Sequence, residues 1–154
     1  MAKNSYTIVA ATLEHVHALR GRLRTSDILE IEASSGRDPD EALELSWRAS
    51  DQVWAALQND RVIALFGAGR ISMLSDIGVP WMLGSEELTG AGLEVGKRSR
   101  QYVLEMKNRF SLLENYIDAR QKTSIRWLKW LGFQVEPAQP WGVLQLPFHR
   151  FFMD

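Results

Sequence analysis

The strongest constraint in this sequence is an alternation. Short apolar runs of strand type are interleaved with segments whose apolar residues recur at helical spacing, and no linker separates them. Tyr6 to Ala11 is a short apolar run, read as a strand. Thr12 can cap a helix from Leu13 to about Leu23, in which Leu13, Val16, Leu19 and Leu23 fall near helical spacing. Ser26 or Asp27 can cap a short helix, Ile28 to Ala33, ended by Ser34-Ser35-Gly36. Asp38-Pro39 reads as an N-cap with a first-turn proline, followed by a helix to about Arg48. Gln52 to Gln58 and Arg61 to Phe66 flank Asn59-Asp60, so a hairpin is expected. Gly78 to Leu83 is a further strand, Gly84 to Gly92 a loop, and about Leu93 to Phe110 a long helix. Leu112 to Ala119 is a buried strand, and Thr123 to Leu131 a helix stopped by Gly132. Phe133 to Glu136 opens another strand, Pro137, Pro140 and Gly142 bend the chain, and Leu144 to Met153 is the last strand. This order predicts an α/β (α+β) chain: a mixed, mostly antiparallel central sheet flanked by helices, formed as one domain over residues 1–154.

Composition narrows the chemistry. A chain of 154 residues that is 45% hydrophobic with a net charge of −1 can bury roughly two-thirds of its surface, and it lacks the polarity of a disordered segment. With no cysteine there is no disulfide framework, thiolate metal site or cysteine nucleophile. No apolar run approaches the roughly 20 residues of a membrane span, and Met1 to Ser5 lacks a signal-peptide core. His15 and His17 sit two apart on a helix and point to different faces; with one further histidine no zinc set can be assembled, so no metal is expected. No P-loop or Ser-His-Asp order is present.

Charge is unevenly spread. Residues 95–130 carry nine basic side chains against Glu105, Glu114 and Asp118, a local excess of +6 in a nearly neutral chain. Such a face attracts phosphate-bearing ligands, nucleic acid or an acidic protein surface, or is simply a solvated pair of helices. Few aromatic residues lie between the basic ones, so single-strand stacking on nucleic acid is not expected.

Residues 113–133, from Leu113-Glu-Asn-Tyr through Trp130-Leu-Gly-Phe133, resemble the last strand–helix unit of the Gcn5-related N-acetyltransferase fold. The upstream hairpin, strand and long helix stand in the order that fold requires. A narrower resemblance joins "IRWLKWLGF", "GVPWMLG" at 78–84, Arg-Ser-Arg at 98–100 and the closing "PFHRFFM" to a family of short-tailed bacteriophage proteins that are acetyltransferase-like in fold and include internal virion proteins. That likeness implies a phage origin and a location in the virion, with the host cytoplasm occupied during assembly.

The acetyltransferase resemblance implies a set of site residues. Acetyl-CoA would lie between the two central strands beside Met82 and Leu83, with its pyrophosphate on a Gly-rich turn opening the long helix. Glu87-Leu-Thr-Gly90-Ala-Gly92 is the nearest match to that turn. Gly90 and Gly92 fit it, whereas Glu86, Glu87 and Glu94 oppose an anion. The tyrosine that commonly protonates the leaving thiolate falls on Leu128, which has no proton to give, and Gln121 stands where an asparagine helper is usual. Glu114, Asp118 and His149 are the candidate bases. Trp127 and Trp130, three apart, are expected to pack on the sheet with Leu131 and Phe133, and Trp81 to be core.

Two functions follow. The reading preferred on the absent tyrosine, the three carboxylates and the phage-family resemblance is a non-catalytic, virion-associated accessory protein without a cofactor. It would bind a tail, portal or ejection component through Lys97, Arg98 and Arg100 or through Phe148, Phe151 and Phe152. The alternative is an acetyl-CoA-dependent N-acyltransferase acting on an amine of a host or phage protein.

Overall fold

The computed structural model describes residues 3–154. Eight strands form one sheet with five helices on its faces. In chain order these are β1 (Tyr6–Ala10), α1 (Leu13–Leu19), α2 (Thr25–Ser34), α3 (Pro39–Arg48), β2 (Ser50–Gln58), β3 (Arg61–Arg70), β4 (Ile77–Gly84), α4 (Glu87–Arg109), β5 (Leu112–Asp118), α5 (Lys122–Leu131), β6 (Gln134–Val135), β7 (Gln139–Trp141) and β8 (Leu146–Met153). The strand order is β1-β2-β3-β4-β5-β8-β6, with β7 also paired to β8. Every pairing is antiparallel except β4 with β5. The mixed, mostly antiparallel sheet flanked by helices is therefore the architecture that the sequence led us to expect.

Local chemistry explains most of the boundaries. The β2–β3 hairpin turns on Asn59 and Asp60, at φ 51° and 66°, a left-handed pair that suits the twist of the flanking strands. Asp38 caps α3 by accepting from the N–H groups of Asp40 and Glu41 at 3.1 Å, with Pro39 in the first turn. Gly132 ends α5 in the left-handed region at φ 106°.

Several boundaries differ from the sequence reading. Helix α1 stops at Leu19, because Arg20 leaves helical geometry and Gly21 turns at φ 72° with its N–H held by Asp40 Oδ1 at 2.9 Å. Leu23 is still buried, beyond the helix. Helix α2 starts at Thr25, and neither Ser26 nor Asp27 caps it; the Thr25 N–H is instead held by Glu86 Oε1 at 2.8 Å. The expected loop at Gly84 to Gly92 is largely helix, since α4 begins at Glu87. Gln139 to Trp141, read as part of a bend, adds strand β7 along β8, and the last strand begins at Leu146.

The sheet separates two cores. One face packs α1 to α3 onto Val53, Ala55, Leu65 and Leu83. The other packs α4 and α5 onto Phe66, Leu113, Ile117 and Phe151. Among the described residues no helix is long and apolar enough to cross a membrane, and no cluster of His, Asp and Glu could hold a metal ion.

Candidate active site

The site originates where two parallel neighbours part. β4 and β5 pair only at Ile77–Leu112 and Gly78–Leu113, then splay. The junction is tight: a Cβ on Gly78 would lie under 3.0 Å from the side chains of Phe110 and Leu113. Just beyond it, Asn115 of β5 reaches across and donates to the Pro80 carbonyl of β4 at 2.7 Å. A cavity of about 360 Å³ then runs through the gap, walled on one face by α2 residues such as Glu30 and Ile31 and on the other by Val103, Trp127 and Leu128. That volume lies in the range of small-molecule sites.

The open edge of β4 supplies main-chain groups. The Ser85 N–H bonds the Ile63 carbonyl on β3, so odd-numbered residues of this strand face β3 and even-numbered ones face the gap. Pro80 meets Asn115 there. Gly84 is also engaged, its N–H with Asp27 Oδ2 at 2.9 Å and its carbonyl with the Arg24 N–H at 2.8 Å. Met82 lies between them, and among the described residues neither its N–H nor its carbonyl has a partner on this side. A lone main-chain donor on a cavity wall is the kind of group that stabilises a developing oxyanion.

The acid in the cavity is Glu30. Its Oε2 accepts from the Asp118 N–H at 2.9 Å and from Gln121 Nε2 at 2.8 Å. Among the described residues its Oε1 takes no hydrogen bond, and Glu30 lines the cavity without that oxygen being fully buried. Burial pushes the Glu30 carboxyl up to about 7; the Asp118 N–H works against the rise, and the nearby Asp27 and Asp118 charges add to it. Asp27, 1% exposed, is also raised by burial but is committed, with Arg24 Nε at 2.8 Å and the Gly84 N–H. That clamp ties the start of α2 to the end of β4.

The start of α4 is already satisfied. Glu87 is held well down, to about 2, first by the Ser85 hydroxyl and its own N–H, with Arg22 and Arg61 adding to the effect. These guanidinium groups lie 3.6 and 3.1 Å from its Oε1. The helix end thus carries a resident anion in the position favoured by its dipole. Gly90 and Gly92 are exposed on the second turn, with nothing within 4 Å of where a side chain would begin.

No family model matches the sequence, and no curated protein matches it. Solved structures do. Spermidine N-acetyltransferase of Vibrio cholerae, in complex with CoA and spermine, superposes with a TM-score of 0.69 at 13% identity, over 96% of this chain and 94% of that one. The yncA protein of Salmonella typhimurium, with its cofactor acetyl-CoA, gives 0.68 at 18% identity over 97% and 93%. A GNAT-family acetyltransferase of Streptococcus pneumoniae gives 0.63 at 12% over 97% and 99%. The fold is that of the Gcn5-related N-acetyltransferases. At these identities the likeness establishes the acetyltransferase fold and nothing finer.

On this fold the residues singled out from sequence scatter. Met82, Leu83, Gln121 and Leu128 line the cavity, and Leu83 directs its side chain into the α1–α3 core. Glu114 is paired with Arg150 at 3.1 Å and does not line the cavity. Asp118 is buried, which would raise it, yet the forked hydrogen bonds of Arg120 outweigh burial and hold it low, so it is a poor base. His149 faces the Glu136 carbonyl at 2.7 Å through Nδ1. Phe148 and Phe151 are core residues, 1% and 6% exposed, and offer no surface to a partner; three apart on β8, they turn to opposite faces of the sheet, Phe151 under the α4–α5 side and Phe148 against Trp141, and both faces are covered. Phe152 is half-buried under the Arg150 guanidinium. Lys97, Arg98 and Arg100 are exposed on α4, with Arg98 bonded to Glu94 and Arg100 over the Trp130 ring.

The two tryptophans of α5 part company. Trp127 lines the cavity, and its indole packs so closely on α4 that a Cβ on Gly96 would come within 2.6 Å of Nε1. Trp130 is 51% exposed rather than packed on the sheet. Trp81, expected in the core, is half-buried: it packs at the margin of the α1–α3 core and also lines the cavity. Sequence reasoning missed Glu30. Its one signal was a carboxylate beside Asp27 and Ile31 on the side of α2 that had to face inward.

Proposed function

We propose that this chain is an acyl-CoA-dependent N-acyltransferase. The observation that carries the reading is the cavity through the β4–β5 gap, which has an unpartnered Met82 N–H on its wall and a carboxyl near neutrality, Glu30, beside it. The residues present fit the thioester arm of the donor. At the phosphate end Arg22, Arg61 and the exposed Gly90 and Gly92 would receive it once Glu87 is displaced. When bound, acetyl-CoA supplies the acyl thioester, so that a nitrogen–carbon bond forms, the carbon–sulfur bond breaks and the thiol leaves.

Glu30 Oε1 takes the proton of the incoming ammonium, which frees the nitrogen lone pair. A carboxyl poised near 7 is suited to holding that proton at neutral pH. The Met82 N–H is the main-chain donor available to a carbonyl oxygen as it gains charge. Ser124, whose hydroxyl donates to Gln121 Oε1 at 3.3 Å, lines the same cavity and is the nearest side-chain hydroxyl on α5 to the place of Leu128. Following thiol release from acetyl-CoA with a panel of amines tests this reading. We expect turnover that falls at least tenfold in Glu30→Gln; absence of both acetyl-CoA binding and thiol release at millimolar donor sinks it.

A second reading, a non-catalytic accessory protein of a short-tailed phage particle, is favoured by the resident Glu87 anion at α4 and by Leu128 in the tyrosine position. In that case Lys97, Arg98 and Arg100 would form the docking face for a tail, portal or internal virion protein. Its test is the presence of the chain in purified particles.

A further inference from the structure

The wall of the cavity on the α2 side is aromatic. Trp81 packs with the α1–α3 core, and its indole N–H donates to Ser50 Oγ at 2.8 Å, which fixes the ring. Tyr116 of β5 lies flat on Trp141 of β7, with centroids 4.4 Å apart and planes 8° apart. Phe148 closes on Trp141 at 5.0 Å. All four line the cavity. The segment after β7 is locked to the end of α2: Val143 and Leu144 donate to the Ser34 and Ala33 carbonyls, and a Cβ on Gly142 would meet the Ala33 carbonyl at 2.5 Å. The aromatic wall is thus held in place before any ligand arrives.

Against this wall stands one uncommitted carboxylate oxygen, Glu30 Oε1. The neighbouring acids are spent, Asp27 on Arg24 and Asp118 on Arg120. The two arginines that line the same cavity are spent as well, Arg24 on Asp27 and Arg37 on Glu41 at 3.2 Å. One free carboxylate oxygen and four rings make a poor host for a polycation, because every ammonium beyond the first would leave water without a free anion to meet it. They suit a single ammonium joined to an apolar body, with the charge on Glu30 and the body stacked on the rings.

We propose that the acceptor is a small monocationic amine with an apolar, preferably aromatic, body. This rests on the acyltransferase reading for its chemistry and on the cavity alone for its binding. Calorimetry on the full chain at pH 8 without acyl donor tests it, with phenethylamine, its neutral analogue 2-phenylethanol, and spermidine as probes. Phenethylamine should bind at least tenfold more tightly than either of the others. Glu30→Gln, with its fold checked by circular dichroism, should bring phenethylamine down to the level of 2-phenylethanol. Spermidine binding as tightly as phenethylamine, indifference to Glu30→Gln, or no binding of any amine at millimolar concentration overturns the proposal. Adding acetyl-CoA separates the two claims. Phenethylamine binding without thiol release leaves the ligand class standing and removes the transferase reading. Thiol release with spermidine alone does the reverse.

Discussion

Glu30 makes a measurable claim about stability. Its carboxyl ionises at an ordinary value of 4.5 when the chain is unfolded and at about 7 when folded, because burial disfavours the charge. Between those values the native state holds a proton that the unfolded state has released. Stability must therefore fall as pH rises through 4.5 to 7, with the loss complete above about 7. At about 1.4 kcal/mol per pH unit that window is worth about 3 kcal/mol, and somewhat less where cavity water reaches Oε1. Glu30→Gln removes the titration while its amide oxygen still accepts from the Asp118 N–H. Asp27 titrates in both proteins and cancels in the comparison. Urea unfolding followed by circular dichroism at pH 5, 6.5 and 8 should show the variant gaining about 2–3 kcal/mol on the parent between the first and last pH. Parallel pH profiles, within about 0.5 kcal/mol, would refute a buried carboxyl that resists ionisation.

Three further outcomes follow from packing and capping. Gly78→Ala places a methyl under 3.0 Å from Phe110 and Leu113 at the β4–β5 junction, and should cost about 1–3 kcal/mol in urea unfolding while weakening any ligand binding in the gap. Asp38→Ala removes both acceptor contacts at the start of α3 and should cost about 1 kcal/mol, seen as a lower urea midpoint with an unchanged slope. Gly132→Ala forces a side chain to φ 106° and should destabilise by about 1 kcal/mol or more, read as a lower melting temperature.

Much of the architecture was legible in the residues because it depends on local rules. Asn59-Asp60 specified a hairpin, Asp38-Pro39 a helix start and Gly132 a helix end, and in each case the deciding chemistry lies within a few residues. The start of α4 was misread because Gly90 and Gly92 carry turn propensity; Leu88, Ala91 and Val95 overrule it by burying one side of a continuous helix. Phe148 and Phe151 were read as a docking surface because a closing aromatic strand gives no sign of which side its neighbours will cover.

The sequence by itself determined where most elements begin and end, that strands and helices alternate, and that no tyrosine occupies the place of Leu128. Only the tertiary structure decided the site. Oε2 of Glu30 on α2 meets the Asp118 N–H, 88 residues away, and the Met82 N–H is free only because β5 leaves β4 after two pairings. Neither fact has a local cause. A carboxyl becomes hard to ionise, and a strand edge becomes open, through what distant segments of the chain bring beside them.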